Sequence, residues 1–335
     1  MKRPLAVVGV VLAAVGLQVA CGPAGEPAEA PAGEPAAAEE AEAVAGRPGI
    51  IASNAFYYYA DVDAAWRFYT DVLGFETAAD YGFAKIMRVA PASYLTLVNA
   101  AEGMHTADEP KTATLAIVTD EVESWYDYLV AEEVPMRAEL GTVDLEAAHV
   151  GFVAIDPEGY LLEFERFQPH AENEQLMPAL AAVEPLYPGR GAATSRPEDL
   201  GVRATVQWLY FDDTAATNRF YEEVLGVGPI VDQGWAWAYP LSASGFLGVV
   251  DGARGLHQPT EDKGVTLSII VDDVEAWYEL MRGVDDFAWR SEEIGDESGR
   301  VRVFVGYDPE GYFLEWDEFL DVDGNEELMR QLGAH

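Results

Sequence analysis

Two rhythms of apolar and polar positions run along this chain, and the same succession of rhythms occurs twice. Ile51 to Tyr59 is a strand-like run. Asp61 follows as a cap for a helix in which Ala65, Phe68-Tyr69 and Val72-Leu73 recur at helical spacing. Three short strands are predicted next, near 76–80, 83–89 and 93–99. The order then restarts with a strand at 113–119 and a helix capped by Asp120, with Val122, Trp125 and Leu129 turned inward. Strands near 134–140, 148–155 and 160–166 complete the unit. Between the last two, Asp156-Pro157-Glu158-Gly159 combines a proline with a glycine able to take positive φ, which suits a tight hairpin turn. The predicted unit is therefore βαβββ, twice over.

The whole unit is then repeated. Phe68-Tyr69 and Leu73-Gly74 return as Phe220-Tyr221 and Leu225-Gly226, an offset of 152 residues. The same offset carries Gly103 and His105 to Gly255 and His257, Trp125-Tyr126 to Trp277-Tyr278, and Asp156-Pro-Glu-Gly-Tyr160 to Asp308-Pro-Glu-Gly-Tyr312. Leu176-Met177 and Leu180 recur as Leu328-Met329 and Leu332. Agreement without a net gap marks duplication of a whole domain. The expected domains are 50–181 and 202–335, each with a C-terminal helix, joined by a linker at 182–201.

Composition changes the picture mainly at the surface and the N-terminus. Twenty basic residues, only four of them lysine, stand against 59 acidic ones, a formal charge of −39. Nucleic acid is excluded as an expected partner, since binding it needs a basic face. Such a surface is soluble and self-repelling, and it would also suit a high-salt environment. Lys2 and Arg3 precede an apolar run from Leu5 to Leu17, too short to span a bilayer comfortably. The run ends at Leu17-Gln18-Val19-Ala20-Cys21, and Cys21 is the single cysteine, so no disulfide can form within the chain. This segment resembles a bacterial lipoprotein signal, which implies acylation of Cys21 and anchoring to the cell envelope on its periplasmic or extracellular face. Gln18 departs from the leucine usual three positions before the cysteine. Residues 1–21 would be the signal, and 22–49, rich in Pro, Ala and Glu, a disordered acidic tether.

The order βαβββ, with an early F-Y-x-x-x-L-G and a late D-P-x-G-Y-x-x-E, resembles the vicinal oxygen chelate superfamily of glyoxalases, bleomycin-resistance proteins and extradiol dioxygenases. The resemblance implies an α+β fold of two tandem domains, each built of paired βαβββ modules forming a cupped mixed-sheet barrel. It also implies a divalent metal at the floor of each cup, held by His, Gln or Glu from the first and last strand of each module. The matching positions here are Asn54 and Val206, Thr96 and Gly248, Thr114 and Thr266, and Glu163 and Glu315. Only the two glutamates are strong ligands, so no metal and no other cofactor is expected. Glu163 and Glu315 remain candidate catalytic groups. Glu165 and Asp317 share their strand faces, and a carboxylate pair in a partly apolar cup has its pKa values driven apart.

Aromatic residues add a candidate binding surface. Trp235, Trp237 and Tyr239 alternate with alanines, and Trp208 and Tyr210 alternate on the first strand of the second copy. If these rings face the cup, they offer a wall for a planar or cationic ligand; if not, they are core. The expected binding set is Asn54, Thr114, Trp208, Trp235, Trp237 and Thr266, with His105 and His257 placed to close the cups. On this reading the second copy has the better cup, with its rings around Glu315, while in the first Lys85 neutralises Glu163. No phosphate-binding loop, serine triad or cysteine pair accompanies them.

Three functions stay open. A surface-anchored binding module for a small organic ligand is preferred. The alternative is an enzyme of glyoxalase (lyase), isomerase or dioxygenase type using Glu163 or Glu315 as base or metal ligand. The third is an assembly role for the Leu176-Met177 and Leu328-Met329 helices. The two copies are also candidates for pairing with each other within the chain.

Overall fold

The computed structural model describes residues 47–333, apart from 145, 190 and 191. The expected signal, the tether up to residue 46 and Cys21 lie outside the described residues. Four βαβββ modules are present, the fourth with one additional short strand. The first comprises β1 (Ile50–Tyr59), α1 (Val62–Arg67, continued by a π-helical turn over Phe68–Val72), β2 (Glu76–Asp80), β3 (Ala84–Ala90) and β4 (Ser93–Asn99). The second comprises β5 (Ala113–Val118), α2 (Val122–Ala131), β6 (Met136–Ala138), β7 (His149–Ile155) and β8 (Leu161–Phe167), followed by α3 (Leu176–Ala181). The third has β9 (Ala204–Phe211), α4 (Thr214–Leu225), β10 (Val231–Asp232), β11 (Ala236–Pro240) and β12 (Gly245–Asp251). The fourth has β13 (Val265–Val271), α5 (Val274–Met281), β14 (Ala288–Trp289), β15 (Gly295–Glu297), β16 (Val301–Tyr307) and β17 (Phe313–Phe319), then α6 (Glu326–Leu332).

The α+β class and the tandem repeat stand, while the modules pair across the copies rather than within them. One sheet runs β14-β16-β17-β13-β1-β4-β3-β2, with β15 also on β16; the other runs β10-β11-β12-β9-β5-β8-β7-β6. The first module therefore joins the fourth through the antiparallel seam β1–β13, where Asn54 faces Ser268. The second joins the third through β5–β9, where Ala116 faces Val206. Neither sheet closes into a barrel. Each is an open cup whose inner face carries residues of both copies.

Helices cover the outer faces. Trp125 of α2 and Trp277 of α5 are at most 1% exposed, in one core with Tyr69, Phe220 and Tyr221. Asp61, Asp213 and Asp273 each accept a bond from the backbone N–H three residues on, which caps α1, α4 and α5. Asp120 does not cap α2 as expected. Glu121 occupies that position without a side-chain bond, while Asp120 pairs with Arg203. The helices α3 and α6 are not free docking elements either. Leu176 and Leu180 pack on the inner-face cluster of the eight-stranded sheet, and Leu328 and Leu332 on that of the nine-stranded sheet.

The D-P-E-G-Y motif locks the two copies together. Asp156 accepts from the N–H of Glu158 (3.0 Å) and of Tyr160 (2.8 Å), and from the hydroxyls of Tyr59 (2.7 Å) and Tyr69 (3.1 Å). Gly159 takes φ +99°, as the turn requires. Glu158 accepts both N–H groups ahead of α1, from Ala60 and Asp61. Tyr160 then donates its hydroxyl to the Gly264 carbonyl, and Tyr312 to that of Thr112, each reaching into the other copy.

Candidate functional site

Each cup holds a cavity. The first, of about 280 Å³ on the nine-stranded sheet, is walled by Phe56, Tyr58, Tyr81, Phe83 and Phe319, with Glu315 and Asp317 on its floor. The second, of about 200 Å³ on the eight-stranded sheet, is walled by Trp208, Tyr210, Trp235 and Phe167, with Glu163 and Glu165 on its floor. Pairing across copies separates residues expected to work together. Asn54, Thr266, His105 and Glu315 belong to the first cup; Thr114, Trp208, Trp235, His257 and Glu163 belong to the second.

Strand parity decides the rest. Ala236 lines the second cavity and Ala238 packs in its inner-face cluster, while Trp237 packs among the outer core residues and Tyr239 reaches Asn218 of α4. Trp237 therefore leaves the candidate site. Trp235 stays because it precedes β11, where strict alternation has not begun. The same parity turns Lys85 and Met87 outward, while Phe83, Ala84 and Ile86 line the first cavity. Lys85 pairs with Asp80 at 2.9 Å and does not neutralise Glu163.

At the rims, the Thr266 and Tyr58 hydroxyls are 2.6 Å apart, and those of Thr114 and Tyr210 2.8 Å. His105 sets its ring edge-on to Tyr58, and His257 to Tyr210, both with centroids 4.9 Å apart. His105 Nδ1 lies 2.6 Å from Glu109 Oε2. Burial lowers the His257 pKa to about 4, so this imidazole is neutral near pH 7. Both histidines border aromatic rings rather than the carboxylates, and neither is among the residues that line the two cavities.

The positions that carry the metal in the resembling family do not fit one here. Across the seams, Asn54 and Val206 face Ser268 and Ala116, not Thr266 and Thr114. In the first cup the Asn54 amide donates to Thr96 (3.0 Å) and Ser268 (3.4 Å), and Ser268 donates to Asp317 (2.5 Å). Those donors are spent on one another. In the second cup Val206, Ala116 and Gly248 offer no side-chain ligand atom. A Cβ on Gly248 would lie 1.9 Å from the Trp208 ring, so the indole takes the space a ligand would need.

The four floor carboxylates are the chemically unusual groups. None forms an ion pair among the described residues, and Glu165 and Asp317 are each 2% exposed. Burial raises the pKa of all four. For Glu165 and Glu315 the charge of the neighbouring carboxylate adds to it, and at Asp317 the Ser268 bond opposes it. One residue missed in the sequence joins them: His149, whose ring atoms lie with a carboxylate oxygen of Glu163 and of Glu165 inside a 4.8 Å group. His149 is exposed at the cavity mouth, and partial desolvation there lowers its pKa from the ordinary histidine value.

Two open cups, each shared by two βαβββ modules and each floored by a glutamate on the last strand, define a duplicated protein of the vicinal oxygen chelate fold. Residues 51–164 match the model described as Glyoxalase/Bleomycin resistance protein/Dioxygenase superfamily. Glyoxalase I from Zea mays is similar in structure, at 16% identity and TM-score 0.53, over 85% of this chain and 95% of that one. A putative dioxygenase from Bacillus subtilis subsp. subtilis str. 168 is similar at 12% identity and TM-score 0.56, over 85% and 90%. At these identities the likeness concerns the fold. No curated protein matches the sequence.

Proposed function

We propose that this chain binds a small organic cation in its first cup, without the metal that the family position would hold. The observation that carries this reading is a pair of carboxylates, the half-buried Glu315 and the buried Asp317, facing Phe56, Tyr58, Tyr81, Phe83 and Phe319 across one cavity. An ammonium group placed between them favours their ionised form and displaces the proton that burial keeps there, and aromatic faces attract the same cation through their quadrupoles. Phe83 and Met104 stand 42% and 38% exposed at the mouth, apolar surface that a ligand would cover. Calorimetry with benzyltrimethylammonium and with benzoate tests this. Binding of the cation alone, weakened about tenfold or more in Glu315→Gln as one desolvated charge contact is lost, is expected; equal binding of benzoate, or indifference to the substitution, overturns it.

The location follows as a second part of the proposal. Cys21, the only cysteine, is acylated as the first residue of the mature chain, which holds the cups at the envelope surface on the acidic tether. Mass spectrometry of the native N-terminus is expected to find a lipid-modified Cys21. A mature chain beginning elsewhere removes the anchor.

A further inference from the structure

We infer that the second cup holds one divalent transition-metal ion on the β7–β8 hairpin, ligated by His149, Glu163 and Glu165, at a place displaced from the family's metal position. Two of the three donors, His149 and Glu165, do not occupy positions from which the resembling proteins draw their ligands, and all three come from one hairpin. The hairpin register explains how they meet. Gly151 faces Glu165 and Val153 faces Glu163, so both carboxylates and His149 project from the same side into the cavity.

Three observations support an ion rather than a fortuitous acidic patch. Glu165 is 2% exposed and its Oε1 has no hydrogen-bond partner, although it lies in a cavity lined by the other two donors. A buried acceptor left without a partner costs on the order of 1–3 kcal/mol, which a bound cation removes. Gly151 lets the two strands of the hairpin approach closely beside the donors, since a Cβ there would lie 2.6 Å from the Phe164 carbonyl and 3.2 Å from the Glu165 Cβ. The imidazole selects the ion class: one nitrogen with two carboxylates suits Zn²⁺ or its neighbours, whereas Ca²⁺ and Mg²⁺ prefer oxygen alone.

The first cup provides an internal control. At the offset of 152 residues, His149 becomes Val301, Gly151 becomes Val303 and Glu165 becomes Asp317. Asp317 also has a partner, the Ser268 hydroxyl at 2.5 Å. The ion is thus a property of one cup only. Beside it stand Trp208 and Trp235, with Arg254 over the Trp235 ring at 4.8 Å. They fit a ligand bearing an anionic oxygen and an apolar body, the opposite chemistry to the first cup.

Calorimetric titration of the tag-free, chelator-stripped chain with Zn²⁺ tests the inference, with Co²⁺ absorption as a report of the coordination shell. One ion per chain is expected. Because loss of even an outer-sphere partner typically weakens metal sites 10–100-fold, His149→Val and Glu165→Gln should each weaken Zn²⁺ at least about tenfold and abolish the Co²⁺ band. His149→Val installs the residue of the other copy at an exposed rim position, so folding is retained and is checked by thermal melting. Glu315→Gln should leave the titration unchanged. Two ions per chain, no saturable binding, or loss of the ion through Glu315→Gln with His149→Val silent, each overturn it. The cation test in the first cup succeeds or fails separately.

Discussion

Replacing Asp156 with alanine is expected to cost about 3–5 kcal/mol of stability, the range found when one partner of a buried charged network is removed. The carboxylate is 4% exposed and accepts four bonds, two from backbone N–H groups of its own turn and two from tyrosine hydroxyls. Alanine removes the acceptor of four donors where water does not reach, and only the Tyr59 hydroxyl has another within range, the Tyr69 hydroxyl at 3.2 Å. Damage spreads beyond the turn. Tyr160 is aimed by this network, and its hydroxyl both receives the Tyr58 N–H and donates to Gly264 in the other copy. Asp156→Asn keeps one acceptor oxygen for the turn and should lose less than half as much. Urea denaturation of the three proteins decides it. A cost below about 1 kcal/mol, the ordinary worth of a single hydrogen bond, would falsify the role assigned to the motif.

The second large effect concerns pH. Asp317 titrates near 3.8 in an unfolded chain and is pushed up to about 7 in the fold, chiefly by burial. Its proton therefore belongs to the folded state. The stabilisation linked to it is complete below the unfolded value, declines as pH rises from about 4, and is gone above about 7. Shared titration with Glu315 reduces what either group shows alone, so on the order of 1–3 kcal/mol should separate pH 5 from pH 8 on this account. Asp317→Asn carries no titrating proton, and its side-chain oxygen can still accept from Ser268. Denaturation midpoints at the two pH values should differ less in the variant than in the natural chain by that amount. If both proteins lose stability in parallel, the overall negative charge is responsible and the burial argument fails.

Much of the architecture was legible because it rests on local rules. Asp61 capping a helix, the turn at Asp156 to Gly159 and the offset that carries Phe68 to Phe220 all depend on residues near one another or on exact repetition. Which modules pair was not legible, and duplication is the reason. β5 and β13 carry the same pattern, so β1 has two chemically equivalent partners and only the folded chain chooses. Trp237 fell on the wrong side because alternation gives a period and not a phase. His149 escaped for the converse reason: a search guided by the repeat discards whatever occurs once. A signal existed, since a tight turn pairing Ile155 with Leu161 brings Gly151 opposite Glu165 and puts His149 on the same face as both carboxylates.

Because every cup is assembled from one module of each copy, the chain has the arrangement of two identical subunits exchanging halves, with the second covalently joined to the first. In an assembly of identical chains, any substitution appears in both sites at once. Fusion removes that constraint. His149 can have Val301 as its counterpart in the other copy, and Gly151 can have Val303, without either cup dictating the other's chemistry. The linker between the copies thus does more than connect them: it lets two cavities of like construction carry different linings. Neither copy carries a whole cup away when it is cut out. For this chain, the gene segment and the binding site are different units of inheritance.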